Sequence, residues 1–151
     1  MISVVQRVLS ASVRVGDRTV GQIGPGLLVL VAVTKTDGEA DVQWMARKLV
    51  NLRIFRNGDK HFDLDVKQTN GAILLVSNFT VAAATRQGRR PGFDAAADPQ
   101  TGRKWFDALV QATAATGVPV ATGEFGADMK VELINDGPVT VLLDSRHVVD
   151  L

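Results

Sequence analysis

Apolar residues recur along this chain in more than one rhythm. Residues 2–9 and 11–15 read as extended, the second alternating Val13 and Val15 with Ser12 and Arg14, the two-residue period of a half-buried strand. Gly16-Asp17 supplies a turn into Thr19 to Ile23, so a β-meander is expected to open the protein. After Pro25-Gly26, Leu27 to Val33 is almost continuously apolar, which fits a strand covered on both faces. The rhythm then changes. Asp37 is an N-cap residue type, and Val42, Met45, Ala46 and Leu49 follow at i, i+3, i+4 and i+7, predicting a helix whose apolar stripe lies on the sheet. Leu52 to Phe55 predicts a short strand ended by Asn57-Gly58. Ala72 to Val76 predicts another, which delivers Ser77-Asn78-Phe79-Thr80 to its end.

Residues 82–99 carry Gly, Pro and Arg without an apolar period, and a loop of that length without structure of its own is more often functional than accidental. Asp98-Pro99 then reads as a cap followed by an N1 proline. It opens a helix with Trp105, Phe106, Leu109, Val110 and Thr113 on one face and Gly117 as the stop. Strands are expected at Val118 to Glu124, Lys130 to Ile134 and Val139 to Leu143. The last two flank Asn135-Asp136-Gly137-Pro138. The sum is an α+β fold of mostly antiparallel strands with two main helices packed on them.

Bulk numbers narrow the class. The 151 residues suit one domain, 1–151, with one core. Hydrophobic residues at 46% and charged ones at 22% exclude a disordered chain. The longest apolar run, Leu27 to Val33, is far short of the roughly 20 residues a membrane span needs. The N-terminal stretch also lacks a basic region followed by an apolar signal core. The absence of cysteine excludes disulfides, thiolate zinc sites and cysteine nucleophiles, and fits a cytoplasmic protein. A net charge of +1 gives no field that would announce a duplex-binding protein. Between Arg86 and Lys104, however, five basic residues (Arg86, Arg89, Arg90, Arg103, Lys104) face two acidic ones (Asp94, Asp98). A solvated loop face is the plainer explanation of that excess.

Side-chain chemistry is sparse. His61 and His147 have no serine, cysteine or metal-type partner at a recognisable spacing, so both read as surface residues. Asp59, Asp63 and Asp65 alternate as in a calcium loop, but its glycine and terminal glutamate are missing, and no metal is expected. In Gly21-Gln22-Ile23-Gly24-Pro25-Gly26, Pro25 removes an N–H where a phosphate cradle needs donors. Ser77 and Thr80 offer hydroxyls that are weak nucleophiles without an adjacent base. That leaves the backbone. A Gly-Pro bond reaches the cis isomer at a cost of only about 0.5–1 kcal/mol. At Gly137-Pro138 a cis bond would turn neighbouring carbonyls to one side as acceptors for an ammonium group; a plain turn with an edge-strand proline is the alternative.

Ser77-Asn78-Phe79-Thr80-Val81 and Asn135-Asp136-Gly137-Pro138-Val139-Thr140 together resemble the paired signature of the D-aminoacyl-tRNA deacylases, S-Q-x-T-L and N-x-G-P-V-T. Flanking stretches agree: "VVQRVLSASVRV", "IGPGLLVLVAV", "LRIF", "RQGRRPGF" and "FGADMKVELINDGPVT", so the likeness covers residues 1–144. The resemblance implies a barrel-like core and a homodimeric hydrolase without a cofactor. Its substrate would be the ester joining a D-amino acid, or mischarged glycine, to the 3′-terminal adenosine of tRNA. It also implies that Gly137-Pro138 is cis, enters the partner subunit's pocket, binds the substrate's α-amino group through carbonyls and excludes an L side chain. Arg7 would prop that segment. Ser77, Asn78, Phe79 and Thr80 would line the ester, the Phe79 N–H would face the developing oxyanion, and Phe125 and Met129 would line the adenosine pocket. With no base beside Thr80, direct attack by water is favoured, assisted by the RNA's own 2′-hydroxyl.

The chain departs from the signature at Asn78, where glutamine is usual, which sets the side-chain amide back by one methylene. Val81 for leucine is a hydrophobic exchange. Ala84 and Gly92 replace polar residues, and the tail from Asp144 to Leu151 carries no family meaning. Two other readings remain: a non-catalytic module binding the tRNA 3′ end, with Asn78 marking lost activity, and a general small-ester hydrolase.

Overall fold

The computed structural model describes residues 1–146, so the expectation placed on His147 lies outside the described residues. The stretches expected at 2–9 and 11–15 are one strand, β1 (Ile2–Val15), and the sheet is built around it. Strand β2 (Arg18–Ile23) pairs antiparallel with Ala11–Val15, and β3 (Gly26–Ala32) with Ile2–Val8. The opening is therefore not a simple meander: β1 is long enough to pair with both followers along one edge. Helix α1 (Glu39–Asn51) and the hairpin β4 (Phe55–Asn57) and β5 (Lys60–Leu64) lead to β6 (Ala72–Ser77), which lies parallel to β3. After a 3₁₀ turn at Phe79–Ala82, helix α2 (Pro99–Ala114) leads to β7 (Val120–Thr122), parallel to β6. Parallel neighbours need a crossover, and the two helices supply them. Strand β8 (Lys130–Asp144) runs antiparallel along the other edge of β1.

The mixed sheet curls until β2 comes against β7. A side chain on Gly21 would collide with the Thr122 carbonyl, so only glycine lets the barrel-like sheet approach closure there. Both faces of the sheet are apolar. Val5, Leu27, Val29, Val31, Ile73 and Leu75 pack under the helices against Val42, Met45, Leu49, Phe106 and Leu109. Val8, Val13, Ile23, Leu28, Leu74 and Val76 fill the interior on the other side. Leu27 and Leu28 point to opposite cores, as the unbroken apolar run required, and each fully buried side chain of this kind contributes about 1.5–3 kcal/mol.

Several boundaries differ from expectation, each for a local reason. Helix α1 is capped by Gly38, whose N–H donates to Asp41 Oδ2 at 2.9 Å. Asp37 instead pairs with the N-terminal ammonium and accepts the Thr34 N–H at 2.7 Å. Leu52 closes α1 by donating to the Lys48 carbonyl at 3.0 Å, so the strand expected from Leu52 starts only at Phe55. Strand β7 keeps only Val120–Thr122 of the stretch expected from Val118 to Glu124. Asp98 does cap α2, accepting the Thr101 N–H at 2.9 Å.

The largest correction concerns Lys130–Ile134 and Val139–Leu143. They are not two strands joined by a turn; both belong to β8 and both pair with β1. Gln6 pairs with Thr140 and Val8 with Asn135, so two steps on β1 answer five on β8. The residues between those pairs, Asp136 to Val139, arch out of the ladder as a bulge.

Candidate active site

A cavity of about 960 Å³ opens where β6 ends. Parallel pairing sets Ser77 beside Val31, and the Asn78 N–H donates to the Val31 carbonyl at 2.7 Å before the chain enters the 3₁₀ turn. Ser77, Asn78 and Phe79 thus stand at the mouth of an apolar hollow floored by Leu28, Leu30 and Val76. Phe79 is exposed and meets Phe93 edge to face, ring centroids 5.1 Å apart. Among the described residues nothing accepts from the Phe79 N–H, which lies in the first turn of a helix, where N–H groups lack intrahelical partners. The Thr80 hydroxyl donates to Asn78 Oδ1 at 2.5 Å, an amide oxygen and not a base.

Phe125 and Met129 line the same cavity from the segment between β7 and β8. Phe125 packs on Phe106 with centroids 6.2 Å apart, and the Arg103 guanidinium lies 4.8 Å over its ring. Lys35, Asp98 and Asp128 are the charged lining residues. The Thr101 N–H, foremost among several hydrogen bonds, holds the Asp98 carboxyl below the usual carboxylate range.

Gly137 and Pro138 do not line this cavity; they sit exposed on the arch of β8, joined by a cis peptide bond. The arch is braced from below. Arg7 is not a surface charge but a buried side chain: Nη1 donates to the Ile54 carbonyl at 2.7 Å and Nε to the Asp136 carbonyl at 3.1 Å, with Asp136 Oδ2 3.3 Å away. Asn135 Nδ2 donates to the Arg7 and Val139 carbonyls at 2.9 and 3.0 Å, tying both feet of the arch to β1. Gly137 has φ +129°, and a Cβ there would press on Val139 Cγ2 at 2.8 Å and Arg7 Nη2 at 3.1 Å.

The residues expected at the site therefore form two groups. Ser77, Asn78, Phe79, Phe125 and Met129 share the cavity, with Thr80 bonded to its rim. Arg7, Gly137 and Pro138 form a separate, outward-facing arm. Sequence reasoning passed over Phe93 and Asn135. Asn135 opens the second signature and could have been read as its brace, whereas the Phe93–Phe79 contact is a tertiary one. Asp63 pairs with Arg53 at 2.7 Å and accepts from Asn57 at 2.8 Å, and Asp65 Oδ1 accepts the Gln68 N–H at 2.8 Å, so these carboxylates are occupied within the chain. Among the described residues no group of three His, Cys, Asp or Glu side chains could hold a metal ion.

Fold and cavity define an α+β protein with a nearly closed mixed sheet and a largely apolar cavity at a strand end. Residues 4–144 match the family model described as D-Tyr-tRNA(Tyr) deacylase, and the chain belongs to that family. A protein of Methylococcus capsulatus named D-aminoacyl-tRNA deacylase is 54% identical over 95% of this chain and 94% of its own length. One of the same name from Pelobacter propionicus is 50% identical over 95% and 99%. Among solved structures, the c-Myc DNA unwinding element binding protein superposes with TM-score 0.90 at 34% identity, over 95% of this chain and 98% of its own. A structure titled as a probable eukaryotic D-amino acid tRNA deacylase superposes with TM-score 0.79 at 16% identity, over 94% and 97%, and speaks to the fold alone.

Proposed function

We propose that the chain, a single domain over residues 1–151, is a cytoplasmic D-aminoacyl-tRNA deacylase that works as a homodimer. It hydrolyses the ester between a D-amino acid, or glycine, and the 3′-terminal adenosine of tRNA. The adenosine lies against Phe125 and Met129, and the ester reaches Ser77, Asn78, Phe79 and Thr80. The Phe79 N–H donates to the oxyanion as water attacks, and the ribose 2′-hydroxyl assists that water. Thr80 is not the nucleophile, since its proton is committed to an amide oxygen that cannot act as a base.

Chirality is sensed by main chain. Mirror-image substrates carry identical groups, so one must be rejected by shape. Carbonyls on the Gly137-Pro138 arm hold the α-amino group, and the arm leaves no room for an L side chain; glycine, lacking one, passes. The observation that carries this reading is the arm itself: braced by Arg7 and Asn135, exposed, and outside its own chain's cavity. Such an arm meets a substrate only in the cavity of a second copy. Leu142, Ile134 and Leu9, exposed at 73%, 56% and 51% on β8 and β1, supply apolar surface for that copy to cover.

The test is deacylation of matched D- and L-tyrosyl-tRNA. Release of D-tyrosine with L-tyrosyl-tRNA spared is expected. Binding without turnover would favour the non-catalytic module, and hydrolysis of esters lacking adenosine would favour a general esterase.

A further inference from the structure

The segment from 82 to 99 has an architecture that the ester chemistry does not use. Its C-terminal part is pinned to the cavity wall: the Ala97 N–H donates to the Val33 carbonyl and the Lys35 N–H to the Ala95 carbonyl, each at 3.0 Å. Phe93, Ala96 and Ala97 line the cavity. Next to this strap, Ala84 and Gly92 exchange two backbone hydrogen bonds of 2.8 and 2.9 Å, closing a small ring whose tip carries Arg86, Arg89 and Arg90. All three arginines are exposed, and among the described residues none forms an ion pair. Arg90 is three residues from cavity-lining Phe93, so its Cα lies within about 11 Å of that wall. Three exposed guanidiniums within five residues of chain, none in an ion pair among the described residues, concentrate positive charge on a ring next to the cavity wall.

We propose that Arg86, Arg89 and Arg90 grip the phosphates of the RNA nucleotides that precede the terminal adenosine. This rests on the proposed activity: an adenosine seated in the cavity sends its 5′ side out past the rim, one negative charge per nucleotide, toward a ring held at fixed distance from the wall. Arginine suits the role because its planar fork meets phosphate oxygens bidentately. The cavity then reads the amino acid and its adenosine, while the ring supplies sequence-independent affinity for the rest of the molecule.

The experiment compares D-tyrosyl-tRNA with the D-tyrosyl ester of adenosine, which carries no phosphate, using the wild type and an R86Q/R89Q/R90Q triple variant. Three single-strand phosphate contacts give log kcat/KM a slope against log salt of about −2, a loss of about twentyfold between 50 and 200 mM. The triple variant should flatten that slope for the tRNA through KM, with kcat unchanged, and leave the adenosine ester within twofold of wild type. An unchanged salt slope with both substrates still hydrolysed would overturn the arginine assignment alone and leave these residues as a solvated face. Equal losses on both substrates would overturn it too, by placing the ring's effect inside the cavity. Failure of the wild type to hydrolyse either substrate would remove the deacylase reading, and this proposal with it.

Discussion

Arg7 shows how one side chain fixes the geometry of a distant main-chain segment. Its guanidinium is buried and satisfied by two carbonyls, Ile54 and Asp136, so removing it leaves acceptors that water reaches poorly. Arg7→Ala should lower stability by about 1.5–3 kcal/mol in urea unfolding, the usual range for hydrogen bonds to a charged group. Arg7→Lys should recover only part of this, because an ammonium cannot span both carbonyls as the fork does. Gly137→Ala adds a Cβ where Val139 and Arg7 already stand and where φ favours glycine. It should cut D-tyrosyl-tRNA turnover far more than it shifts the unfolding midpoint, and unchanged turnover in a folded variant would count against the arm. Thr80→Ala should keep kcat within about tenfold of wild type if water attacks directly; complete loss in a folded protein would reinstate a covalent route.

Helix α1 joins packing to pH response. Burial pushes the Asp41 carboxyl up, but the hydrogen bonds from Ser145 and Gly38, with the N-terminal ammonium and Arg146 nearby, outweigh it and hold the group below its ordinary value of 3.8. The folded pKa is depressed, so Asp41 contributes stability in full above the unfolded value. That contribution is lost as pH falls through the lower folded one. The urea midpoint should therefore fall below about pH 4, and Asp41→Asn should remove part of that slope. Elements of this kind were readable wherever a period was strong: the α1 stripe, the Asp98-Pro99 start of α2, and the two-faced run in β3. Three features were hidden. Exposed at Lys60, His61 and Phe62 and half-buried at Asp63 and Leu64, β5 shows no alternation, and Asp37 has the residue type of a cap while its tertiary partner, the N-terminus, is invisible locally. Asn135-Asp136-Gly137-Pro138 has the composition of a reversal, yet the chain keeps its direction because β1 pairs on both sides of the arch. Ser77, Asn78 and Phe79 of the cavity group were legible through the first signature, and Phe125 and Met129 through the flank that precedes the second, whereas separation of the arm from that cavity needed three dimensions.

At the scale of the whole molecule, the proposed sharing of one site between the cavity of one chain and the arm of another would make assembly a condition of activity. Leu142 is the most exposed of the large apolar residues on β8, and Leu142→Lys should yield a monomer in sedimentation, with unchanged helix and strand content and little turnover. The proposed trans-acting arm would also permit complementation. Gly137→Val spoils the arm, and Gly102→Leu obstructs the cavity beside Phe125 while favouring α2 by propensity. Each variant alone should be inactive. Unfolded and refolded together in equal amounts, they form mixed dimers in which the cavity of one chain faces the sound arm of the other, and about a quarter of wild-type D-tyrosyl-tRNA turnover should return, as a two-fold dimer requires. If the arm served its own chain's cavity, every chain in the mixture would still carry one defect, and the activity would stay at zero.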